Sequence, residues 1–332
     1  MAAVLRWLAS RKSFTPASCS WLNLVERRFA EIARQRLGVG PSTGSSNASA
    51  PSPGDARGFD LTRRLASFYR AKRTPAMAAH VHQFQCLKDN FGVLIHDPST
   101  RATAAVDAPE AGPILAALAA REWELTDILI THHHFDHVQG IAGLKARFPS
   151  ARVIGPAKEA AKIGGLDRPI GEGDVAATGA LEAKVIEVPG HTSGHVAYWF
   201  EDEDILFAGD TLFAMGCGRA FEERFEVLYQ SLLKLAALPG ETQVYCGHEY
   251  TLANARFALT VDPSNAILTE RAGEAARQRE AGEFTLPTTI AIELATNPFL
   301  RADDPDIQAG LGMAGSDPVA VFTELRERKN KM

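Results

Sequence analysis

The segment Thr131-His132-His133-His134-Phe135-Asp136-His137 begins at the last residue of the apolar run Asp127–Thr131. That run is typical of a short buried strand. A loop that leaves a strand can turn residues 132, 134, 136 and 137 into one pocket. Three imidazoles and a carboxylate are costly to crowd together unless a cation neutralises and orders them. These ligand types suit zinc, iron or manganese. We therefore predict a metal site here, the alternative being a solvated histidine cluster on a loop.

Three later segments carry the same kinds of side chain, and each follows a strand-like run and contains a glycine turn. They are PGHTSGH (189–195), FAGDT (207–211) and CGHEY (246–250). Turns of this kind are where a scaffold of strands presents ligands from its loops. The chain thus offers seven candidate metal ligands: His132, His134, Asp136, His137, His191, Asp210 and His248.

From His80 to about Tyr250, short strands alternate with helical patterns, which predicts an α/β domain over residues 77–250. The helices among them are Pro113–Arg121, Ile141–Phe148 and Phe225–Ala237. The strands are His80–Gln85, Phe91–His96, Thr103–Asp107, Asp127–Thr131, Arg152–Ile154, Lys184–Val188, Val196–Phe200, Ile205–Phe207 and Gln243–Cys246.

A smaller, mainly helical domain is predicted over residues 251–332. Helical patterns cover Leu252–Leu259 and Ala266–Glu280, and a proline-bounded loop then leads to a final helix near Pro318–Lys329.

Residues 1–76 do not resemble a folded domain. Pro41–Gly54 has the Ser/Gly/Ala/Pro composition of a linker, and the segment before it is rich in Arg and Ser. An organelle transit peptide has such a composition, which would make the protein mitochondrial. The interpretation that we favour places the true start at Met77, with a cytoplasmic protein as the result.

The charge is unevenly distributed along the chain. Residues 1–76 carry thirteen Lys and Arg against four Asp and Glu, a balance of +9; the whole chain carries −5, which leaves −14 for residues 77–332. An acidic domain has no reason to bind nucleic acid. No apolar run approaches the roughly 18 residues that a membrane span needs, and we expect a monomer.

The four cysteines, Cys19, Cys86, Cys217 and Cys246, show no CxxC spacing, which fits a reducing compartment. We interpret them as packing residues rather than nucleophiles, because a metal site would itself supply hydroxide.

The motifs THHHFDH, GHTSGH, FAGDT and CGHEY, in this order, resemble those of the metallo-β-lactamase superfamily and, more narrowly, of glyoxalase II, the hydroxyacylglutathione hydrolases. The similarity covers residues from about Val81 to the C-terminus. It implies a metallo-β-lactamase αββα sandwich followed by a smaller helical domain. It also implies hydrolysis of S-(2-hydroxyacyl)glutathione, typically S-D-lactoylglutathione, to glutathione and a 2-hydroxy acid (EC 3.1.2.6), a step of methylglyoxal detoxification.

The resemblance also implies roles for individual residues. His132, His134 and His191 would hold one metal ion, Asp136, His137 and His248 a second, and Asp210 would bridge both. Zinc is the expected metal, with iron or manganese as alternatives. Two such ions make hydroxide available at neutral pH, and Asp136 and Asp210 would take up the released proton as catalytic residues.

The same resemblance points to Arg219, Phe221, Tyr250 and Arg301 as residues that bind the glutathione thioester. Phe221 lacks the hydroxyl of the tyrosine found in animal members. Where a second basic residue often follows Arg301, this chain has Asp303-Asp304, which would repel a carboxylate of glutathione.

Other functions on the same fold remain alternatives, because details of the site decide function. They are a persulfide dioxygenase, a lactonase or a β-lactamase; a non-catalytic binding protein; and a nucleic-acid processing enzyme. The complete ligand set and the NPFLR segment at Asn297–Arg301 favour glyoxalase II, and the acidic charge argues against nucleic acid.

Overall fold

Two mixed β-sheets of six strands each form the centre of the computed structural model, which describes residues 79–332. The first sheet has the order β1-β2-β3-β4-β5-β6. Strands β1 to β3 pair antiparallel, and β3 to β6 pair parallel. The strands are β1 (His80–Cys86), β2 (Asn90–His96), β3 (Thr103–Val106), β4 (Asp127–Leu129), β5 (Arg152–Pro156) and β6 (Arg168–Ile170).

The second sheet contains β7 (Val175–Thr178), β8 (Leu181–Glu187), β9 (Val196–Phe200), β10 (Ile205–Gly209), β13 (Gln243–Cys246) and β14 (Thr288–Thr289), in the order β14-β13-β10-β9-β8-β7. Only β10 and β13 pair parallel in it. A small hairpin of β11 (Leu212–Phe213) and β12 (Gly216–Cys217) follows β10.

The helices fall between the strands of the first half and dominate after residue 250. They are α1 (Ala111–Arg121), α2 (Phe135–Val138), α3 (Ile141–Arg147), α4 (Ala160–Ile163), α5 (Phe225–Ala236), α6 (Thr251–Val261), α7 (Ala266–Glu280), α8 (Ile290–Thr296), α9 (Pro305–Leu311) and α10 (Pro318–Asn330), with 3₁₀ turns at Ala157–Glu159, Glu201–Glu203 and Pro298–Leu300.

The hydrophobic core lies in layers. One cluster joins the facing sides of the two sheets and includes Ile95, Leu129, Tyr198 and Phe207. A second cluster joins the other side of the first sheet to its helices, and it contains the alternate strand residues Leu94, Ile128 and Val153 together with Ile114, Leu118 and Leu144. The strands in the middle of each sheet therefore bury both faces, which explains why they are near-continuous apolar runs.

The structure confirms the predicted metallo-β-lactamase fold, with two mixed sheets and a helical C-terminal region. The domain boundary predicted between residues 250 and 251 stays a prediction, since the described residues all belong to one compact unit and β14, from beyond residue 250, completes the second sheet. The predictions for residues 1–76, Cys19 included, lie outside the described residues.

Two local predictions were wrong. Part of the segment interpreted as a metal-binding loop is helical. This helix, α2, was missed because its four residues are too few to show a helical period. The proline-bounded loop before the last helix contains α8 and α9. Pro305 occupies the first turn of α9, where a missing N–H costs nothing, and Asp304 caps that helix. No helix in the described part of the chain is long and apolar enough to cross a membrane.

Candidate metal centre

The predicted ligands come from the carboxyl ends of four strands. The HHHFDH segment follows β4, the GHTSGH turn follows β8, Asp210 follows β10, and His248 follows β13. Strands β10 and β13 are parallel neighbours, so their carboxyl ends lie at the same edge of the second sheet. Loops at the carboxyl ends of strands are a common location for ligands in α/β folds.

All seven predicted ligands meet at this edge. The donor atoms of His132, His134 and His191 lie within 4.8 Å of one another, and so do those of Asp136, His137 and His248. We call these the first and second ligand groups. The sequence prediction thus named side chains that do converge in the structure.

Asp210 lies between the two groups. Its Oδ1 atom is 3.6 Å from Nε2 of His137, and its Oδ2 atom is 3.3 Å from Nε2 of both His191 and His248. Burial disfavours the Asp210 carboxylate, but His137 and His248 outweigh it and hold its pKa well below the usual range. An ionised carboxylate facing ligands of both groups is what a bridging ligand requires.

Glycine allows this close approach. A Cβ atom on Gly247 would lie 2.4 Å from Oδ1 of Asp210 and 2.8 Å from Cε1 of His137. A larger residue at position 247 would therefore collide with Asp210 and His137, a ligand of the second group.

The seven candidate ligands fit a pair of cations, because several of their polar atoms have no hydrogen-bond partner in the protein. Within the described residues, Nε2 of His132 and Oδ1 of Asp210 are buried and make no hydrogen bond. Ring nitrogens also face each other closely, at 3.0 Å between His134 and His191 and 3.3 Å between His137 and His248. Buried polar atoms are normally satisfied, and cations between these lone pairs would satisfy them.

Hydrogen bonds on the far side of the ligands set their tautomers. His132 Nδ1 lies 3.0 Å from the Thr131 hydroxyl, which in turn donates to Asp107. His137 Nδ1 donates to Oδ2 of the same Asp107 over 2.8 Å. One carboxylate therefore orients a ligand from each group and leaves their Nε2 atoms free to bind metal. Asp127, which is also buried near β4, does not share this role, because it binds Arg152 and Thr126 instead.

Two further orienting residues escaped the sequence analysis. Asp89 accepts a hydrogen bond from His248 Nδ1 over 2.9 Å, and Asn90 donates to Asp136 Oδ2 over 3.0 Å. His191 Nδ1 donates to the Arg219 carbonyl over 2.9 Å, so the ring is held by the loop that carries the predicted substrate residues.

The side chain of His195, at the end of the GHTSGH turn, contacts Asp210. Its Nε2 atom accepts a hydrogen bond from the Asp210 amide over 3.0 Å. Burial lowers the pKa of this imidazole well below its usual range, which keeps Nε2 available as an acceptor.

Three of the predicted substrate residues surround the open side of the ligand groups. The exposed Phe221 ring lies 5.2 Å from the ring of His191, and Tyr250 stacks on His248 with ring centroids 4.8 Å apart. Burial raises the pKa of Tyr250, so its phenol stays protonated and can donate a hydrogen bond. Arg219 is exposed next to them.

Arg301, the fourth predicted substrate residue, is paired inside the protein. Its guanidinium binds the carboxylates of Asp262 and Asp304, and its side chain is 18% exposed. Two carboxylates already offset its single charge, which leaves little attraction for a substrate carboxylate.

Three basic residues that the sequence analysis missed, Arg256, Arg326 and Lys329, lie near Arg219. Arg326 donates to the Cys217 carbonyl over 2.9 Å, and Lys329 donates to the Ala253 carbonyl over 2.7 Å. Burial, with Arg326 and Arg256 next to it, lowers the pKa of Lys329 to about 8. Arg219, Arg256, Arg326 and Lys329, which we call the basic group, have no carboxylate partner within the described residues.

The cysteines of the described residues are buried and free. Burial raises the pKa of Cys217 and Cys246. Neither thiol is therefore suited to act as a nucleophile.

Two family models match the chain. Residues 88–248 match the metallo-β-lactamase superfamily, and residues 249–332 match the C-terminus of hydroxyacylglutathione hydrolase. Among solved structures, ETHE1 from Myxococcus xanthus is 26% identical at a TM-score of 0.53, and the similarity covers 76% of this chain and 91% of that one. The BLEG-1 B3 metallo-β-lactamase shares the fold, with a TM-score of 0.51 and 22% identity over 67% of this chain and 99% of that one.

Relatives with much higher identity are hydroxyacylglutathione hydrolases. The protein of that name from Rhodopseudomonas palustris (strain BisA53) is 55% identical over 255 residues, which are 77% of this chain and 100% of the relative. The one from Nitrobacter winogradskyi is 54% identical over the same shares of both chains. The chain therefore belongs to the hydroxyacylglutathione hydrolase (glyoxalase II) family of the metallo-β-lactamase superfamily.

Proposed function

We propose that the protein hydrolyses the thioester bond of S-(2-hydroxyacyl)glutathione, with S-D-lactoylglutathione as the typical substrate, at a centre of two divalent ions. The observation that supports this most strongly is the position of Asp210, whose two oxygens face ligands of both groups. Both family models and the curated relatives agree with it.

Each ligand group would hold one ion, with Asp210 shared between them. Bound ions would supply hydroxide at neutral pH and stabilise the negative charge that develops on the thioester oxygen. Zinc is our proposed occupant, because neutral imidazoles with few carboxylates are ligands that it favours.

Of the two predicted catalytic carboxylates, Asp136 and Asp210, we propose Asp136 as the one that takes up the proton of the attacking water. Asp136 is the more accessible of the two, with its side chain 40% exposed against 8% for Asp210. Asn90 donates to Oδ2 of Asp136, so its other oxygen is free to accept a proton as the attacking water loses it. Asp210, whose pKa is held low, would remain ionised and keep the two ion sites together.

The glutathione part of the substrate would lie across the loop that follows β12. Phe221 would contact the acyl and cysteinyl portion beside His191, and the Tyr250 hydroxyl would donate a hydrogen bond to the peptide. Glutathione carries two carboxylates, which need cations. We propose Arg219 and Lys329 of the basic group for one of them, since Arg301 is already paired.

The test compares thioester, lactone and β-lactam substrates on one metal-analysed preparation of the protein. We expect about two equivalents of transition metal and hydrolysis of S-D-lactoylglutathione alone. Turnover of a lactone without turnover of the thioester would overturn the proposal and assign another activity of the fold. Removal of the metal with a chelator should abolish activity, and addition of zinc should restore it.

A further inference from the structure

A second cluster of ligand-type side chains lies outside the centre. His133, Glu159 and Glu222 bring one nitrogen and two carboxylate oxygens within 4.8 Å of one another. A third metal site is the first hypothesis that such a cluster suggests. It fails because both carboxylates are already saturated by protein donors, so no lone pairs remain directed at a common empty point. The cluster therefore has another use.

Glu159 is the centre of this arrangement and is only 2% exposed. Its Oε2 atom accepts hydrogen bonds from the backbone amide and from Nδ1 of His133, at 2.7 Å and 2.9 Å. Its Oε1 atom accepts from the Gly194 amide over 2.9 Å and from the Thr192 hydroxyl. Burial of a carboxylate is costly unless hydrogen-bond donors compensate for the lost water, and four donors do so here.

The four donors belong to two separate ligand-bearing segments. His133 lies between His132 and His134, whereas Thr192 and Gly194 closely follow His191. One carboxylate thus joins the segments that carry all three members of the first ligand group. Asp136, His137 and His248 of the second group make none of these contacts and are oriented instead by Asp107, Asp89 and Asn90.

Glu159 is packed closely against the turn that carries Thr192 and Gly194. A Cβ atom on Gly194 would lie 2.5 Å from Cγ of Glu159, so the turn presses directly on the carboxylate side chain. On the outer side, Glu222 accepts from the Ser193 amide and hydroxyl, at 2.8 Å and 2.7 Å, and binds Lys162 over 2.7 Å. Glu222 follows Phe221, so the same cluster also holds the substrate loop.

We propose that Glu159 is a positioning residue that sets the metal affinity of the first ligand group and not that of the second. It fixes the separation of His132 and His134 from His191 before any ion binds, so that binding need not order two loops. The inference rests on the two-ion part of the proposed function and is independent of the substrate.

The test uses Glu159→Gln, which keeps the size of the side chain but turns an NH2 group against two N–H or O–H donors. Metal-free protein is titrated with Co²⁺ against a competing chelator, and the visible absorption of each site is followed. His191→Ala and His248→Ala supply reference spectra for single-site occupancy. We expect affinity at the first group to fall about 10- to 100-fold, as for other partners of ligands, and affinity at the second to change little.

Two variants control for a general loss of structure. Glu187→Gln makes the same chemical change at a carboxylate that pairs with Lys158 outside the cluster, and it should leave both affinities unchanged. Thr192→Val removes a single donor to Glu159 at nearly constant volume. It should weaken the first group by a smaller factor even if Glu159→Gln does not fold.

Equal weakening of both groups, or no weakening in Thr192→Val and Glu159→Gln, would overturn the proposal. A selective loss in a protein that does not hydrolyse the thioester would uphold it while refuting the proposed substrate.

Discussion

His137 Nδ1 donates a hydrogen bond to Asp107 Oδ2 over 2.8 Å, and both side chains are buried. Asp107 also accepts from Thr131, whose hydroxyl lies 3.0 Å from His132 Nδ1. A single carboxylate that no ion would touch therefore fixes one ring of each ligand group. Its φ of 57° lies in the left-handed region, so the chain accepts backbone strain at the end of β3 to place this side chain.

The first prediction concerns this carboxylate. Asp107→Asn puts an NH2 group against a donor and removes the charge that favours the Nδ1–H tautomer of His137. We expect metal affinity and kcat to fall about 10- to 100-fold, measured by metal titration and steady-state kinetics.

Asp127→Asn is the matched control, since Asp127 is equally buried but binds Arg152. It should lower thermal stability and leave metal affinity unchanged. Equal metal loss in both variants would contradict the role given to Asp107.

Residue chemistry explains why the ligands were predictable and their partners were not. The seven ligands could be predicted from the sequence, because imidazole and carboxylate side chains are crowded into short turns after apolar runs. Asp89 has no such signal: it precedes His248 by 159 positions, and only the pairing of distant chain segments brings them together.

The same limit applies to substrate residues. Arg301 stays a predicted carboxylate-binding residue, but its motif gives no sign that Asp262, 39 positions away at the end of α6, also engages its charge. Lys329, which we propose as a substrate residue, lies on the last helix near Arg326 and Arg219, where its sequence neighbours look like those of any solvated helix end.

The second prediction concerns the shared ligand. Asp210→Ala should abolish hydrolysis and reduce bound metal at both sites, because its oxygens face His137 on one side and His191 and His248 on the other. His248→Ala, by contrast, should mainly deplete the second group. Metal analysis of both variants checks this, and retention of two ions by Asp210→Ala would refute a bridging role.

The third prediction separates the two candidate cations for a glutathione carboxylate. Lys329→Ala should raise KM about tenfold, the loss of one charge-assisted hydrogen bond, with little change in kcat. Arg301→Ala should lower stability instead, because it leaves the buried Asp262 carboxylate without a counter-charge. A larger rise in KM for Arg301→Ala than for Lys329→Ala would return the binding role to Arg301.

The fourth prediction concerns the pH dependence of substrate binding. Burial lowers the pKa of Lys329 to about 8, so this group loses its charge above that pH while an ordinary lysine would keep it. KM should therefore rise as pH increases through about 8. Lys329→Arg keeps its charge throughout and should give a flatter profile; identical profiles would show that Lys329 does not bind substrate.

The last prediction concerns Glu293, a fully buried carboxyl group on α8 that accepts hydrogen bonds from the Met215 amide and from Asn297, at 2.8 Å and 3.0 Å. Asn297 also donates to the Gly216 carbonyl over 2.9 Å, so these two residues hold the β11–β12 turn between Asp210 and Arg219.

Burial raises the pKa of Glu293 to about 7, against 4.5 for an ordinary glutamate. Between about pH 4.5 and about pH 7, the folded state therefore keeps a proton on Glu293 that the unfolded state has already lost. Stability should fall as pH rises from about 4.5 to about 7, by roughly 3 kcal/mol at most, and then stay level. Glu293→Gln mimics the protonated group and should lack this decline. Urea unfolding of the metal-free wild type and Glu293→Gln at pH 5 and pH 8 measures how much stability each protein loses between these pH values. The histidines are common to both proteins, so their titration cancels in the comparison. If the two proteins lose the same stability between these pH values, Glu293 is ionised throughout and the assignment of a buried proton to it is wrong.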